Sequence, residues 1–210
     1  GDIPSGEKYI RHLSQEPLQV ESRKLEVRAG VPVDAFYKCW HICSRMDRRY
    51  YAADLITEIL GGGGSSRLFQ SLVKEKQLFS SIGCYHFGSI DAGLLAIEGK
   101  LVQGVEMETA NAAVEAELRK ITDKPVEEKE LRKVKNKTES LIAFEDMSLI
   151  NRAGSLSFYT LLGNTNMINE ELEKYQMVTA AELRQEATAI FDPANSNTLY
   201  YFGNAQNTQL

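Results

Sequence analysis

The chain changes its hydrophobic period near Met107, and that change limits the folds open to it. Upstream, short alternating apolar runs dominate, broken by one helical stretch, and a period of two is what half-buried strands require. Downstream, apolar residues recur every three or four positions, the spacing of one helical face. Neighbouring strands followed by grouped helices predict antiparallel pairing with helices laid on one side. The expected fold class is therefore α+β, two layers, with a mostly antiparallel sheet.

The elements can be placed one by one. Gly1 to about Pro17 is polar and aperiodic and reads as an arm, with one folded domain over residues 18–210. Leu18–Val27 and Ala35–Met46 read as strands around the turn signal Gly30-Val31-Pro32. Asp47 is placed to cap a helix whose apolar face is Tyr51, Leu55, Ile56, Ile59 and Leu60. Four glycines, Gly61–Gly64, stop it, and a short helix follows over Ser66–Glu75. Ser80–Phe87 and Leu94–Leu101 read as a hairpin joined by Gly88–Gly93. Helices are then expected over Met107–Ile121 and from Pro125 onward, Pro125 being suited to a first helical position. Glu127, Glu128 and Glu130 favour that N-terminus, and Leu131, Val134, Leu141, Ile142 and Ile150 extend the stripe through one long helix. Thr179 and Glu182 form a capping box for the last helix, and Asn197–Phe202 closes the sheet.

Composition removes several functions. The net charge is −5, where a nucleic-acid binder would carry a basic excess. Hydrophobic residues at 43% and charged residues at 25% suit a well-cored globular domain rather than a disordered chain. No apolar run approaches the ~18 residues of a membrane span. No signal peptide stands in this stretch, and the opening Gly1 in place of Met reads as an excised or processed segment. The three cysteines do not form a disulfide framework and leave the compartment open.

A hydrolytic zinc site needs about three protein ligands and an open position. His12, His41 and His86 stand in no zinc signature. Cys39, His41 and Cys43 would share one face of a strand, but a rise of ~3.3 Å per residue spreads the two thiols about 13 Å apart. One zinc would need them within about 4 Å. Gly61–Gly64 forms a backbone with unusual freedom, yet no Gly-Lys-Ser/Thr follows, so it is not a phosphate-binding loop. Ser65 and Ser66 suit helix capping better than nucleophilic attack, which needs a strand–turn–helix elbow.

The segment from Asp54 through the glycines to Ser65-Ser66-Arg67-Leu68-Phe69-Gln70 and on to Lys76 resembles the second half of insulinase/pitrilysin-type zinc peptidases. Leu94–Leu101, Pro125–Lys137, Val178–Glu182 and Leu199-Tyr200-Tyr201 are similar to later segments of that family, in the same order. The resemblance implies a two-lobed peptidase in which this C-terminal lobe carries no metal. Its partners would be a zinc-bearing N-terminal lobe, on the same polypeptide or another subunit, and a peptide substrate, with a homodimer as a further arrangement. Zinc is expected as a cofactor in the partner lobe alone. By resemblance, substrate contact falls to Gly61, Gly62, Gly63, Gly64, Ser65, Ser66 and Arg67, and to the region of Lys74, Ser81 and Tyr85. Active relatives place an Arg and a Tyr, seven residues apart, near the zinc; here Lys74 and Ser81 fall at those positions. Tyr85 shares a strand face with Ser81. The departure from the pair admits an alternative, a catalytically inactive scaffold half of the same family.

Overall fold

The computed structural model describes residues 16–88 and 90–203, together with Asp2, Pro4 and Gly6. The polar arm expected over residues 1–17 lies almost wholly outside the described residues. Five strands form one sheet: β1 (Arg23–Ala29), β2 (Ala35–Ser44), β3 (Phe79–Phe87), β4 (Ala92–Leu101) and β5 (Ser196–Gly203), in the order β1-β5-β2-β4-β3. Every pairing is antiparallel except β1 with β5. The α+β class expected from the period change is therefore the observed one.

Consecutive strands do not all pair, however. The last strand inserts between β1 and β2, with Leu25 opposite Leu199 and Tyr37 opposite Leu199 on its other side. The reason is in the side chains. Arg23, Lys24, Glu26 and Arg28 crowd seven residues of β1 with charge, which suits a sheet edge and not its centre. Tyr200 of β5 is buried and packs near the Phe36 ring, at 6.1 Å between centroids.

The helices are α1 (Tyr50–Gly61), α2 (Met107–Asp123), α3 (Glu128–Glu145), α4 (Leu149–Leu161), α5 (Met167–Met177) and α6 (Ala180–Ile190). Phe36, Trp40, Leu95 and Ile97 point from the sheet into a core shared with Leu55, Ile59, Val114 and Leu183. Asp47 does not cap α1: its carboxylate accepts from the Arg49 amide at 2.9 Å, while Arg49 itself stands at the cap position. The capping box does form, with Thr179 Oγ1 accepting from the Glu182 amide and Glu182 accepting from the Thr179 amide.

The single long helix expected after Pro125 is two helices. Glu127, not a residue before Pro125, stands at the N-cap of α3, and a turn at Asp146–Ser148 breaks the run before Ser148 caps α4. Helix α5 has no counterpart in the period reading. Leu131 and Val134 are core, but Leu141 and Ile150 are exposed. The corner between α3 and α4 presents Phe144, Met147, Leu149 and Ile150 at 70, 77, 81 and 78% exposure. Exposed apolar side chains gathered at one corner make it a candidate contact surface.

Candidate functional site

The short helix after the glycines begins near Arg67 and passes into a π-helix over Phe69–Glu75, whose end is tied by the Lys76 amide to the Ser71 carbonyl at 2.9 Å. Such wide turns cost hydrogen-bond geometry and concentrate at functional sites. Lys74 leaves its last turn exposed to solvent, its ammonium 5.5 Å from the Phe69 ring centre.

The glycine loop is short of freedom, contrary to what its composition suggests. Gly61 packs on β3 so closely that a Cβ there would lie 2.1 Å from the Cys84 amide nitrogen. The Gly62 amide donates to Glu58 at 3.0 Å and closes α1. Gly63 takes φ +100°, a conformation that favours glycine. Helix α3 then holds the loop from outside: Lys137 donates to the Gly62 carbonyl at 2.8 Å and Lys133 to the Ser65 carbonyl at 3.2 Å. Gln70 donates to the Gly64 carbonyl. Ser66 is buried, with a hydroxyl lacking a partner among the described residues, so it offers no nucleophile to a solvent-borne substrate.

Arg67 is engaged as well. Its guanidinium makes a two-pronged pair with Glu130 of α3, leaving Gly63, Gly64 and Ser65 as the exposed part of the loop. Ser81 and Tyr85 lie on β3, facing away from the helices, since Cys84 between them points into the core. Four residues of extended chain separate them by about 13 Å. Tyr85 has partners of its own: its hydroxyl donates to Glu98 at 2.9 Å and its ring packs edge-on against Phe87 at 5.3 Å. Partial burial and the Glu98 carboxylate push the phenol up to about 12.

Zinc chemistry does not fit this domain's own residues. Among the described residues no three His, Cys, Asp or Glu side chains gather as a metal site. Burial raises both β2 thiols, Cys39 and Cys43, the latter to about 11, which opposes the thiolate a metal needs.

A cluster the sequence did not disclose crosses the helical layer. Asp54 of α1 meets His86 Nε2 at 2.7 Å and accepts from the Tyr175 hydroxyl at 2.6 Å. Burial and Asp54 raise the Tyr175 phenol strongly. Beside it, buried Arg45 binds Glu171, donating also to Tyr51 at 3.1 Å and Tyr159 at 3.3 Å. These contacts join α1, α4, α5 and β3. The only sequence signal was an Arg among alternating apolar residues; its partner lies 126 positions away.

The family profile described as the Peptidase M16 inactive domain matches residues 1–138. The chain belongs to this family. A zinc protease of Rickettsia bellii, otherwise uncharacterized, is 23% identical over 152 residues, covering 72% of this chain and 36% of that protein. The M16 inactive domain thus spans little more than a third of that curated relative. A protease from Helicobacter pylori shares the fold with a TM-score of 0.88 at 20% identity, over 94% of this chain and 48% of that one. A peptidase M16 inactive domain from Pseudomonas fluorescens does so with a TM-score of 0.76 at 17% identity, over 93% and 47%. The chain is thus a non-catalytic C-terminal lobe of the M16 type, and the zinc of this family belongs to the partner lobe.

Proposed function

We propose that this M16 inactive domain closes the peptide chamber of a zinc peptidase and touches the substrate from the side opposite the metal. Membership in the inactive-domain family carries this reading. The exposed Lys74, Ser81 and tip residues Gly63–Ser65 would supply the contacts, Lys74 offering charge to a substrate carbonyl or carboxylate. Arg67 would shape the loop rather than bind. The apolar corner of Phe144, Met147, Leu149 and Ile150 supports docking of a zinc-bearing lobe there; a homodimer through the same corner is the competing arrangement.

The experiment is co-expression with the zinc-bearing half, followed by peptide cleavage with and without chelator. Chelator-sensitive cleavage that needs both halves is the expected result. A folded complex that cleaves nothing would sink the reading.

One observation favours a second reading, an inactive scaffold half. Lysine lacks the planar fork of arginine, and serine is too short to replace a phenol, so Lys74 and Ser81 make a weaker substrate clamp. Lys74→Ala separates the two. It lowers kcat/KM in a peptidase lobe and leaves a scaffold's assembly untouched.

A further inference from the structure

Two helices are attached to the fold differently from the other four. α1, α2, α3 and α6 each bury aliphatic side chains, among them Leu55, Val114, Leu131 and Leu183. α4 and α5 bury none: α4 buries Tyr159, and α5 buries Glu171 and Tyr175. Leu149, Ile150 and Leu161 of α4 and Met177 of α5 lie exposed instead.

The three buried side chains converge on a polar seam. Arg45, the residue after β2, is buried and pairs with Glu171. The same guanidinium donates to Tyr159 at 3.3 Å and to Tyr51 of α1 at 3.1 Å, and the Tyr51 hydroxyl donates to Glu171 at 3.2 Å. Tyr175 donates to Asp54 at 2.6 Å, with its ring edge-on to that of Tyr51 at 5.0 Å. At the rim, Lys135 of α3 donates to the Gln176 carbonyl at 2.8 Å. Attraction within a buried charge pair is largely offset by the desolvation of both charges, so such a seam fixes position more than it adds stability.

Elements with few buried apolar contacts open at a lower free energy than the core they rest on. The chain is built for α4 and α5 to open together. Their connection is tied to itself: the Asn164 amide donates to the Tyr159 carbonyl at 3.1 Å, and the Thr160 and Thr165 hydroxyls meet at 2.8 Å. The turn at Asp146–Ser148 precedes the pair, and Val178 returns the chain to the core directly after it.

We propose that α4 and α5 form one latch, which leaves α1 as a unit while the sheet, α1, α2 and α6 stay folded, and that the Arg45–Glu171 pair is its catch. The exposed Leu149, Ile150 and Leu161 move with it. Nothing here rests on the chamber reading, so the full chain alone is tested.

Native-state hydrogen exchange is followed amide by amide in low urea. The α4 and α5 amides share one opening, with about a hundredfold less protection than those of α1 and α2 and a smaller urea slope. Ile121 of α2 is fully buried whether the latch is shut or open. Ile121→Val therefore lowers protection in α1 and α2 about fivefold and leaves α4 and α5 unchanged. Glu171 loses its partner on opening, so Glu171→Gln lowers protection in α4 and α5 about tenfold, and in α1 and α2 with them. One opening with one urea slope for every helix overturns the proposal, as does equal sensitivity of α5 and α2 to Ile121→Val. Unmoved protection of α4 and α5 in Glu171→Gln overturns the catch, and exchange of α4 ahead of α5 overturns the single unit. The parent and Ile121→Val decide the matter even where Glu171→Gln does not fold.

Discussion

Arg67 holds Glu130 by two parallel hydrogen bonds, Nε to Oε1 at 3.0 Å and Nη2 to Oε2 at 2.6 Å. The pair joins the residue after the glycine loop to the first turns of α3, with side chains 20 and 23% exposed. Lysine would keep the charge and lose the second bond. Arg67→Lys is expected to cost about 1 kcal/mol and Arg67→Ala about 2 kcal/mol, the range for a charged hydrogen bond with limited solvent. Urea unfolding checks both; equal stability in all three proteins would return Arg67 to the substrate contacts.

Gly61, Gly63 and Gly64 are expected to divide sharply under alanine substitution. At Gly61 a methyl meets backbone of Cys84, which cannot step aside, and overpacking of this kind costs roughly 1–3 kcal/mol or more. Gly64→Ala meets nothing within 4 Å and stays near neutral. Gly63→Ala has space but the wrong φ, for a cost of about 1 kcal/mol. Melting curves of the three variants rank them, and a uniform loss would show that the loop is not held as described.

Glu171→Ala leaves Arg45 buried without its carboxylate. Loss of one partner of a buried pair costs about 3–5 kcal/mol. Replacing Arg45 with methionine and Glu171 with leucine together is expected to recover much of that loss, since both charges then vanish. A double variant no more stable than Glu171→Ala would show that the network holds α1, α4 and α5 by geometry rather than by charge.

Two buried glutamates give opposite pH signatures. Burial works against the Glu117 anion, but Lys120 at 2.8 Å and the Ser71 hydroxyl at 2.6 Å outweigh it and hold its pKa below the ordinary value. Its stabilisation is present above the unfolded glutamate pKa and lost as pH falls through the lower folded one. Glu117→Gln is therefore destabilising at neutral pH by about 1–3 kcal/mol, and the gap closes in acid. Glu186 is raised by burial, so its stabilisation is present below the unfolded pKa and lost as pH rises through the folded one. Glu186→Gln is expected to be more stable than the parent at pH 7 and equal to it near pH 4. Denaturant titrations across pH distinguish the two.

Phe144 and Ile150 carry no weight in the isolated domain's core. Phe144→Ser with Ile150→Ser is expected to leave its melting temperature within about 2 °C, because surface changes usually stay within ±0.5 kcal/mol. The same variant should weaken docking of the zinc-bearing half at least about tenfold by calorimetry. Unchanged docking would place the lobe contact elsewhere.

The two-layer class, the stop at Gly61, the capping box at Thr179 and the lack of a zinc signature were all readable along the chain, because each depends on residues a few positions apart. Residues far apart decided the rest. Whether β1 pairs with β2 or with β5 depends on which strand can bear an edge, and only assembly of the sheet puts Leu199 between Leu25 and Tyr37. The stripe through Leu141 and Ile150 has helical spacing, yet the turn at Asp146–Ser148 carries it off the core. Gly61–Gly64 is flexible by composition and held in place by Lys133 and Lys137, more than sixty positions downstream. Sequence thus determined the periods and the punctuation. Tertiary structure determined which charges met partners and which were buried, tying Arg67 to Glu130 and burying Glu186 on α6, because burial and pairing are set by the whole fold and not by any local stretch.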